Sequence, residues 1–242
     1  MAHLYLDEEL GDPELDAEAV VTGAEARHAV VVGRLQVGEH VSVGNGAGLI
    51  ASGVVTAAAP AEFRFRVDEL ARQPRREPAI WLAQALAKGD RDELAVQAAT
   101  ELGVDGVIPW AAARSVSRWE GAKIAKGQAR WTALVREASK QSVRPWLPEV
   151  SPLVTTRQLA ALGSSARLVV LDPESSQPLS AVHPDDRDLV LVVGPEGGIS
   201  PAEFDLFAAA GALRARLGPE VLRTSTAGPA AIALLSAKLG RW

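Results

Sequence analysis

Gly194-Pro195-Glu196-Gly197-Gly198-Ile199-Ser200 follows directly on the apolar run Leu189–Val193. A second turn, Leu217-Gly218-Pro219-Glu220-Val221-Leu222-Arg223-Thr224-Ser225-Thr226-Ala227, comes shortly after. A buried strand that empties into a glycine-rich turn and then a helix is where an open α/β sheet takes a ligand, just past the carboxyl ends of its strands. Glycines there let a ligand approach the backbone with no Cβ in the way. Two such turns close together suggest one shared small-molecule site. The same residues also fit a plain tight turn between strand and helix, a common scaffold element.

The flanking sequence says what must position these turns. In Ser200-Pro201-Ala202-Glu203, serine caps a helix, proline takes its first position and glutamate closes a capping box. The helix then runs from Glu203 to Ala210 and stops at Gly211. Arg167–Leu171 and Leu189–Val193 read as buried strands. Ala79–Ala87 is an apolar run ending at Lys88-Gly89-Asp90. Asp90 is placed to cap the next helix, with Glu93 three residues on. That helix runs to about Leu102, with Gly103 as its stop. Val104–Trp110 is a short strand. Gly127–Gln141 is helical, with Trp131, Leu134, Val135 and Ala138 on one face. Alternation of this kind predicts an α/β domain with a mostly parallel sheet.

The first part of the chain reads differently. Val41–Gly44 and Leu49–Val55 flank Asn45-Gly46, a hairpin signal, because both residues accept positive φ. Gly44–Gly48 lacks the full dinucleotide-binding spacing and a following helix. Phe63–Val67 alternates apolar and basic residues, as a half-exposed strand does. Arg72-Gln73-Pro74-Arg75-Arg76-Glu77-Pro78 reads as a linker. The expected domains are therefore 1–72, a small β module, and 73–242, the α/β domain.

Composition narrows the chemistry. The 242 residues are enough for one or two domains with a sizeable core. No apolar stretch is long enough to span a membrane. Met1–Leu10 is polar and acidic, with no signal-peptide pattern. The absence of cysteine excludes disulfides, thiol catalysis and cysteine metal sites, and fits the cytoplasm. His3, His28, His40 and His183 have no metal-ligand spacing, so no metal is expected. The chain carries a net charge of −5, unevenly spread. Residues 1–72 hold five Arg against twelve Asp and Glu. From Arg114 to Arg144, eight basic residues oppose only Glu120 and Glu137. That stretch reads as a phosphate-facing surface or as a solvated helix face.

The motifs, taken in order, resemble one family. Arg27-His28 with Gly33-Arg34-Leu35 and Gly38 fits its start. Ala87-Lys88-Gly89-Asp90-Arg91, Thr100-Glu101-Leu102-Gly103, Arg114-Ser115-Val116 with Trp119, Trp131, and Glu137–Arg144 follow. Gly194–Gly198 and Leu217–Ala227 complete the set. The chain thus resembles the SPOUT methyltransferases, and among them the bacterial family that methylates N3 of a uridine in small-subunit ribosomal RNA. Ser225 departs from it, since many relatives carry glutamate there. The resemblance implies an N-terminal PUA-like β-barrel, a C-terminal α/β domain with a deep trefoil knot, S-adenosylmethionine as donor, and a homodimer. The apolar segment Pro229–Leu239 is consistent with a dimer, because a helix hydrophobic on nearly all sides needs burial in a core or against a partner.

The resemblance also implies site roles. Leu171, Gly194, Pro195, Glu196, Gly197, Gly198, Ile199, Leu217, Gly218, Leu222, Arg223, Thr224 and Thr226 would hold the cofactor. Arg27, Arg34, Arg118, Lys123, Lys126 and Arg130 would contact RNA. Methyl transfer from a sulfonium needs in-line alignment, which positioning can supply. The uracil imide must also lose its N3 proton or have the developing anion stabilised. Arg114, Glu101 and Arg223 are the candidates for this. Each has a plainer reading: Arg114 as a phosphate contact, Glu101 as a helix-surface partner, Arg223 as a brace for its loop. A non-catalytic RNA-binding or ribosome-assembly protein is the competing class, and cofactor binding discriminates against it. A nucleotide-dependent hydrolase fits poorly, since the chain has no Walker lysine motif, G-x-S-x-G elbow or complete G-x-G-x-x-G.

Overall fold

A computed structural model describes residues 4–242, so His3 and the first residues of Met1–Leu10 lie outside the described residues. Two compact units emerge. One runs up to Arg75 and takes in Ser139–Leu147; the other comprises Arg76–Ala138 and Pro148–Trp242.

The first unit contains β1 (Leu4–Leu6), β2 (Glu18–Thr22), the short helix α1 (Gly23–Arg27), β3 (His40–Gly44), β4 (Leu49–Ala59) and β5 (Glu62–Arg72). Its sheet has the order β1-β3-β4-β5-β2, antiparallel except for the β1–β3 pair. The alternation at Phe63–Val67 holds: Phe63, Phe65 and Val67 are fully buried, and Arg64 and Arg66 are exposed. The hairpin also forms, but as a longer loop than Asn-Gly alone. Asn45 Oδ1 accepts from the amides of Ala47 and Leu49, so its side chain builds the turn. Arg72 ends β5 rather than opening a linker. Trp146 Nε1 donates to the Gln73 carbonyl, which fastens the later segment Ser139–Leu147 into this unit.

The second unit is an α/β sheet with helices on both faces. Its elements are β6 (Ile80–Ala85), α2 (Arg91–Glu101), β7 (Gly106–Ala111), α3 (Ala122–Gln141, which crosses into the first unit), β8 (Glu149–Val150), β9 (Val154–Thr155), α4 (Thr156–Ala161), β10 (Arg167–Leu171), β11 (Leu189–Val193), α5 (Pro201–Ala209), β12 (Leu213–Ala215) and α6 (Thr224–Lys238). The strand order is β12-β10-β11-β6-β7-β8, with β9 on β7, and every pairing is parallel. Successive residues of a strand point to opposite faces, so both must be apolar in a covered parallel sheet. Ile80, Leu82, Leu189 and Leu191 join one core with Trp131, Val135, Ile232 and Leu235. Ala83, Ala85, Val190 and Val192 join the other with Trp110, Leu159 and Phe207.

The helix stops at Gly103 and Gly211 are correct and share one geometry. Both glycines adopt positive φ, at 93° and 75°. After each, the next amide reaches back to close the helix end: Val104 N to Ala99 O, and Ala212 N to Phe207 O. Asp90 is a correction. It sits at the N-cap of α2 with φ 59° and makes no side-chain cap bond. Asp92 takes over instead, accepting from the Ala87 and Glu93 amides, while Glu93 pairs with Arg130. The apolar segment Pro229–Leu239 is largely explained within the single chain: Pro229, Ala231, Ile232 and Leu235 of α6 are buried.

Candidate functional site

The carboxyl ends of β10, β11 and β12 open into a cleft of about 890 Å³. Its walls come from Leu171–Glu174, Val193–Glu196 with Gly198 and Ile199, Ala215–Gly218 and Glu220–Thr224, together with Arg91 and Arg114. This is where a ligand is expected in a parallel sheet.

The glycine turn is built from the helix behind it. Ser200 Oγ accepts from the Glu203 amide, and Glu203 Oε2 accepts from the Ser200 amide at 2.9 Å. A cap of this kind is worth about 1 kcal/mol. It fixes where α5 starts, so Gly194–Ile199 must close in six residues. The Gly198 amide donates to Pro195 O at 2.8 Å, and Gly198 has φ 71°. A Cβ on Gly198 would find only the Arg114 guanidinium, at 4.0 Å, so it would enter open cleft space. Gly197 lets Arg114 lie close, since a Cβ there would stand 3.2 Å from Arg114 Cβ. Arg114 Nη1 donates to the Gly197 carbonyl at 3.1 Å.

The second turn is pinned by a buried polar chain. Thr224 Oγ1 donates to the Gly194 carbonyl at 2.8 Å and accepts from Gln84 Nε2 at 2.8 Å. Both turns are therefore tied to the end of β6. Arg223 holds the N-cap position of α6, and its carbonyl accepts from the Thr226 and Ala227 amides. On the far wall, Asp172 is bound by the Arg214 guanidinium, which stacks on the Phe204 ring at 4.3 Å. Glu196 accepts from Arg91 and from the Lys88 amide. Burial opposes its ionisation, but hydrogen bonds from its own amide, Arg91 and Lys88 outweigh that and hold its carboxyl below the usual range.

The cleft gathers most of the expected cofactor residues: Leu171, Gly194, Pro195, Glu196, Gly198, Ile199, Leu217, Gly218, Leu222, Arg223 and Thr224 line it. Gly197 contributes through Arg114, while Thr226 is exposed in the first turn of α6 and is not on the lining. Arg114 and Arg223 come together there; Glu101 does not. Glu101 ends α2, exposed and bonded by Gln97. The helix leaves the carboxyl end of β6, and its 11 residues carry Glu101 roughly 16 Å toward the other edge of the sheet. Among the RNA candidates, Arg27 and Arg34 are exposed in the first unit, and Arg118, Lys123 and Lys126 are exposed in the second. Arg130 is occupied by Glu93. Lys140, part of the same basic run, is paired with Glu25 and mostly covered.

Sequence reasoning missed Gln84, Asp172, Arg214 and the second use of Glu203. Gln84 had a signal, as the one polar side chain inside the apolar run Ala79–Ala87. Asp172 had one too, since it directly follows the predicted strand Arg167–Leu171, whereas Arg214 had none, because β12 is only three residues long.

Comparison with known proteins decides the family. A family model described as RNA methyltransferase domain matches residues 75–236, and one described as RNA methyltransferase PUA domain matches 21–68. Ribosomal RNA small subunit methyltransferase E of Mycobacterium bovis is 40% identical over 95% of this chain and 90% of its own. The chain belongs to this family of RNA methyltransferases. The Bacillus subtilis member is 32% identical over 89% of this chain and 88% of its own. The crystal structure of the Neisseria gonorrhoeae member, bound to S-adenosyl methionine, is 26% identical, has a TM-score of 0.87 and covers 98% of both chains. The fold is therefore that of the family, with a PUA domain before the α/β methyltransferase domain.

The cleft itself fits such a donor. Leu171, Val193, Ile199, Leu217 and Ala227 offer apolar surface, the open space at Gly198 accepts an approaching group, and Glu174 and Glu220 are among the charged residues of the lining.

Proposed function

We propose that this methyltransferase transfers a methyl group from S-adenosylmethionine to N3 of a specific uridine in small-subunit ribosomal RNA. The observation that carries the reading is Arg114, laid across the glycine turn on the wall of the donor cleft. The cofactor supplies an electrophilic methyl carbon on a sulfonium sulfur. The chain's own residues do the rest. The turns at Gly194–Ile199 and Leu217–Thr224 would hold the donor. Arg114 stabilises negative charge on the uracil as N3 loses its proton, and Arg223 lends further positive potential. Both are donors without an acceptor role, so neither takes up the N3 proton.

Arg27 and Arg34 in the PUA domain, with Arg118, Lys123 and Lys126, contact phosphate. The working unit is a cytoplasmic homodimer, and the α/β domain carries the trefoil knot of SPOUT enzymes. The deciding experiment is nucleoside mass spectrometry of small-subunit ribosomal RNA from a deletion strain. Loss of one 3-methyluridine, restored by the wild-type gene, is expected. An unchanged 3-methyluridine content refutes the assignment.

A further inference from the structure

Glu203 makes more bonds than a helix cap requires. A capping box asks its carboxylate only to accept from the N-cap amide. Oε2 does this with Ser200 N at 2.9 Å and also accepts from Ser200 Oγ at 2.8 Å. Oε1 reaches elsewhere: it accepts from the Ala113 amide at 2.8 Å and from the Thr156 hydroxyl at 2.9 Å. Thr156 Oγ1 accepts in turn from Trp110 Nε1. Four donors thus converge on a carboxylate that is 4% exposed. Burial pushes its pKa up, but these bonds outweigh burial and hold it low.

The two ends of this clamp matter to the site. Ala113 lies 90 residues from Glu203 and immediately precedes Arg114. Ser200 closes the turn whose Gly197 carbonyl accepts from Arg114. One carboxylate therefore fixes both the root of the arginine and the exit of the turn on which its guanidinium rests.

We infer that Glu203 is a positioning residue for methyl transfer, acting through Arg114. This rests on the reading of Arg114 as the group that stabilises the uracil anion. Only an ionised carboxylate offers acceptors alone to four donors. Aspartate keeps the charge but is shorter by about 1.5 Å, one carbon–carbon bond, and cannot span Ser200 and Ala113 together. A displacement of about 1 Å in a reacting group can cost on the order of a hundredfold in rate.

The test is a double-mutant cycle on the full chain with Glu203→Asp, Arg114→Ala and the double variant. Single-turnover methylation is measured at saturating RNA and S-adenosylmethionine, and cofactor affinity by calorimetry. Glu203→Asp is expected to slow the saturated rate by roughly tenfold to a hundredfold with cofactor affinity changed by less than about threefold, well under 1.4 kcal/mol. In the Arg114→Ala background the same substitution should change the rate by less than about twofold, the limit of ordinary additivity error. Equal slowing in both backgrounds overturns the inference, since Glu203 would then act as general scaffolding. A full rate for Arg114→Ala overturns the reading of the arginine itself, which is a separate and visible outcome. Should Glu203→Asp fail to fold, Glu203→Gln carries the same cycle, because it keeps the length and turns one acceptor into a donor.

Discussion

Removing Arg114 separates catalysis from folding by magnitude. Its guanidinium is exposed and makes one hydrogen bond among the described residues, Nη1 to the Gly197 carbonyl at 3.1 Å. An exposed bond of that kind contributes about 1 kcal/mol or less to stability. The backbone at Ala113 stays held by Glu203 whatever side chain follows it. Arg114→Ala should therefore shift the unfolding midpoint by no more than roughly 2–4 °C for a chain of this size. A preorganised cation at a developing anion is worth about 3 kcal/mol, on the order of a hundredfold in rate. Catalytic loss thus exceeds structural loss by a wide margin, and the two can be read apart.

The assay is single-turnover methylation across a range of RNA concentrations, with cofactor affinity followed by calorimetry. The expected result is a saturated rate lowered by about two orders of magnitude, with cofactor affinity nearly intact. A phosphate contact gives a different curve, because it weakens RNA binding and leaves the saturated rate alone. A full maximal rate reached at higher RNA concentration would remove Arg114 from the chemistry.

Gly198→Val should abolish measurable cofactor binding, because its side chain would fill cleft space beside Arg114. Gly211→Val is the matched control: its φ of 75° imposes similar strain with nothing within 4 Å, so it should lose stability but keep cofactor affinity; equal affinity in the two variants defeats the placement. Neutralising Arg118, Lys123 and Lys126 together should flatten the slope of log RNA affinity against log salt, by about one for each phosphate that is no longer neutralised. An unchanged slope means that none of them touches phosphate. Glu203 has a lowered pKa in the fold, so the stability it contributes is present above the unfolded carboxylate pKa and is lost as pH falls through the folded value. Glu203→Gln should accordingly lose less stability than wild type on acidification, and parallel curves from thermal unfolding would count against this. The full chain should sediment as a dimer at micromolar concentration; a folded, active monomer refutes the homodimer.

Much of the scaffold was legible because local chemistry and global fold agree. The capping box at Ser200, the stops at Gly103 and Gly211, and the apolar strands Leu189–Val193 and Arg167–Leu171 each follow from a short-range rule that the fold leaves undisturbed. The cleft was legible for the same reason, since its main turn is squeezed between a readable strand and a readable cap. Asp90 shows the limit. Its spacing to Glu93 satisfies the box, yet its backbone is left-handed and the capping falls to Asp92. Two acidic residues two apart offer the chain alternative caps, and Glu93, which would close the box on Asp90, pairs with Arg130 on α3 instead. Glu101 fails for a reason of direction. It sits in a motif with Gly103, but the helix between strand and strand carries it away from the carboxyl edge where the ligand lies.

Glu203 joins both cases. The sequence shows its first role completely, because Ser200 and Glu203 are three residues apart and a box uses only local atoms. Its second role depends on the sheet: β7 and α5 must both be in place before Ala113 N comes within 2.8 Å of Oε1. The box consumes one oxygen and buries the carboxylate, and a buried carboxylate cannot leave its other oxygen unpaired without a cost of about 1–3 kcal/mol. The cap therefore creates a demand for donors at the end of β7, and the loop that answers it is the one that carries Arg114. Helix capping, a local rule, is in this way coupled to the placement of the arginine at the cofactor turn.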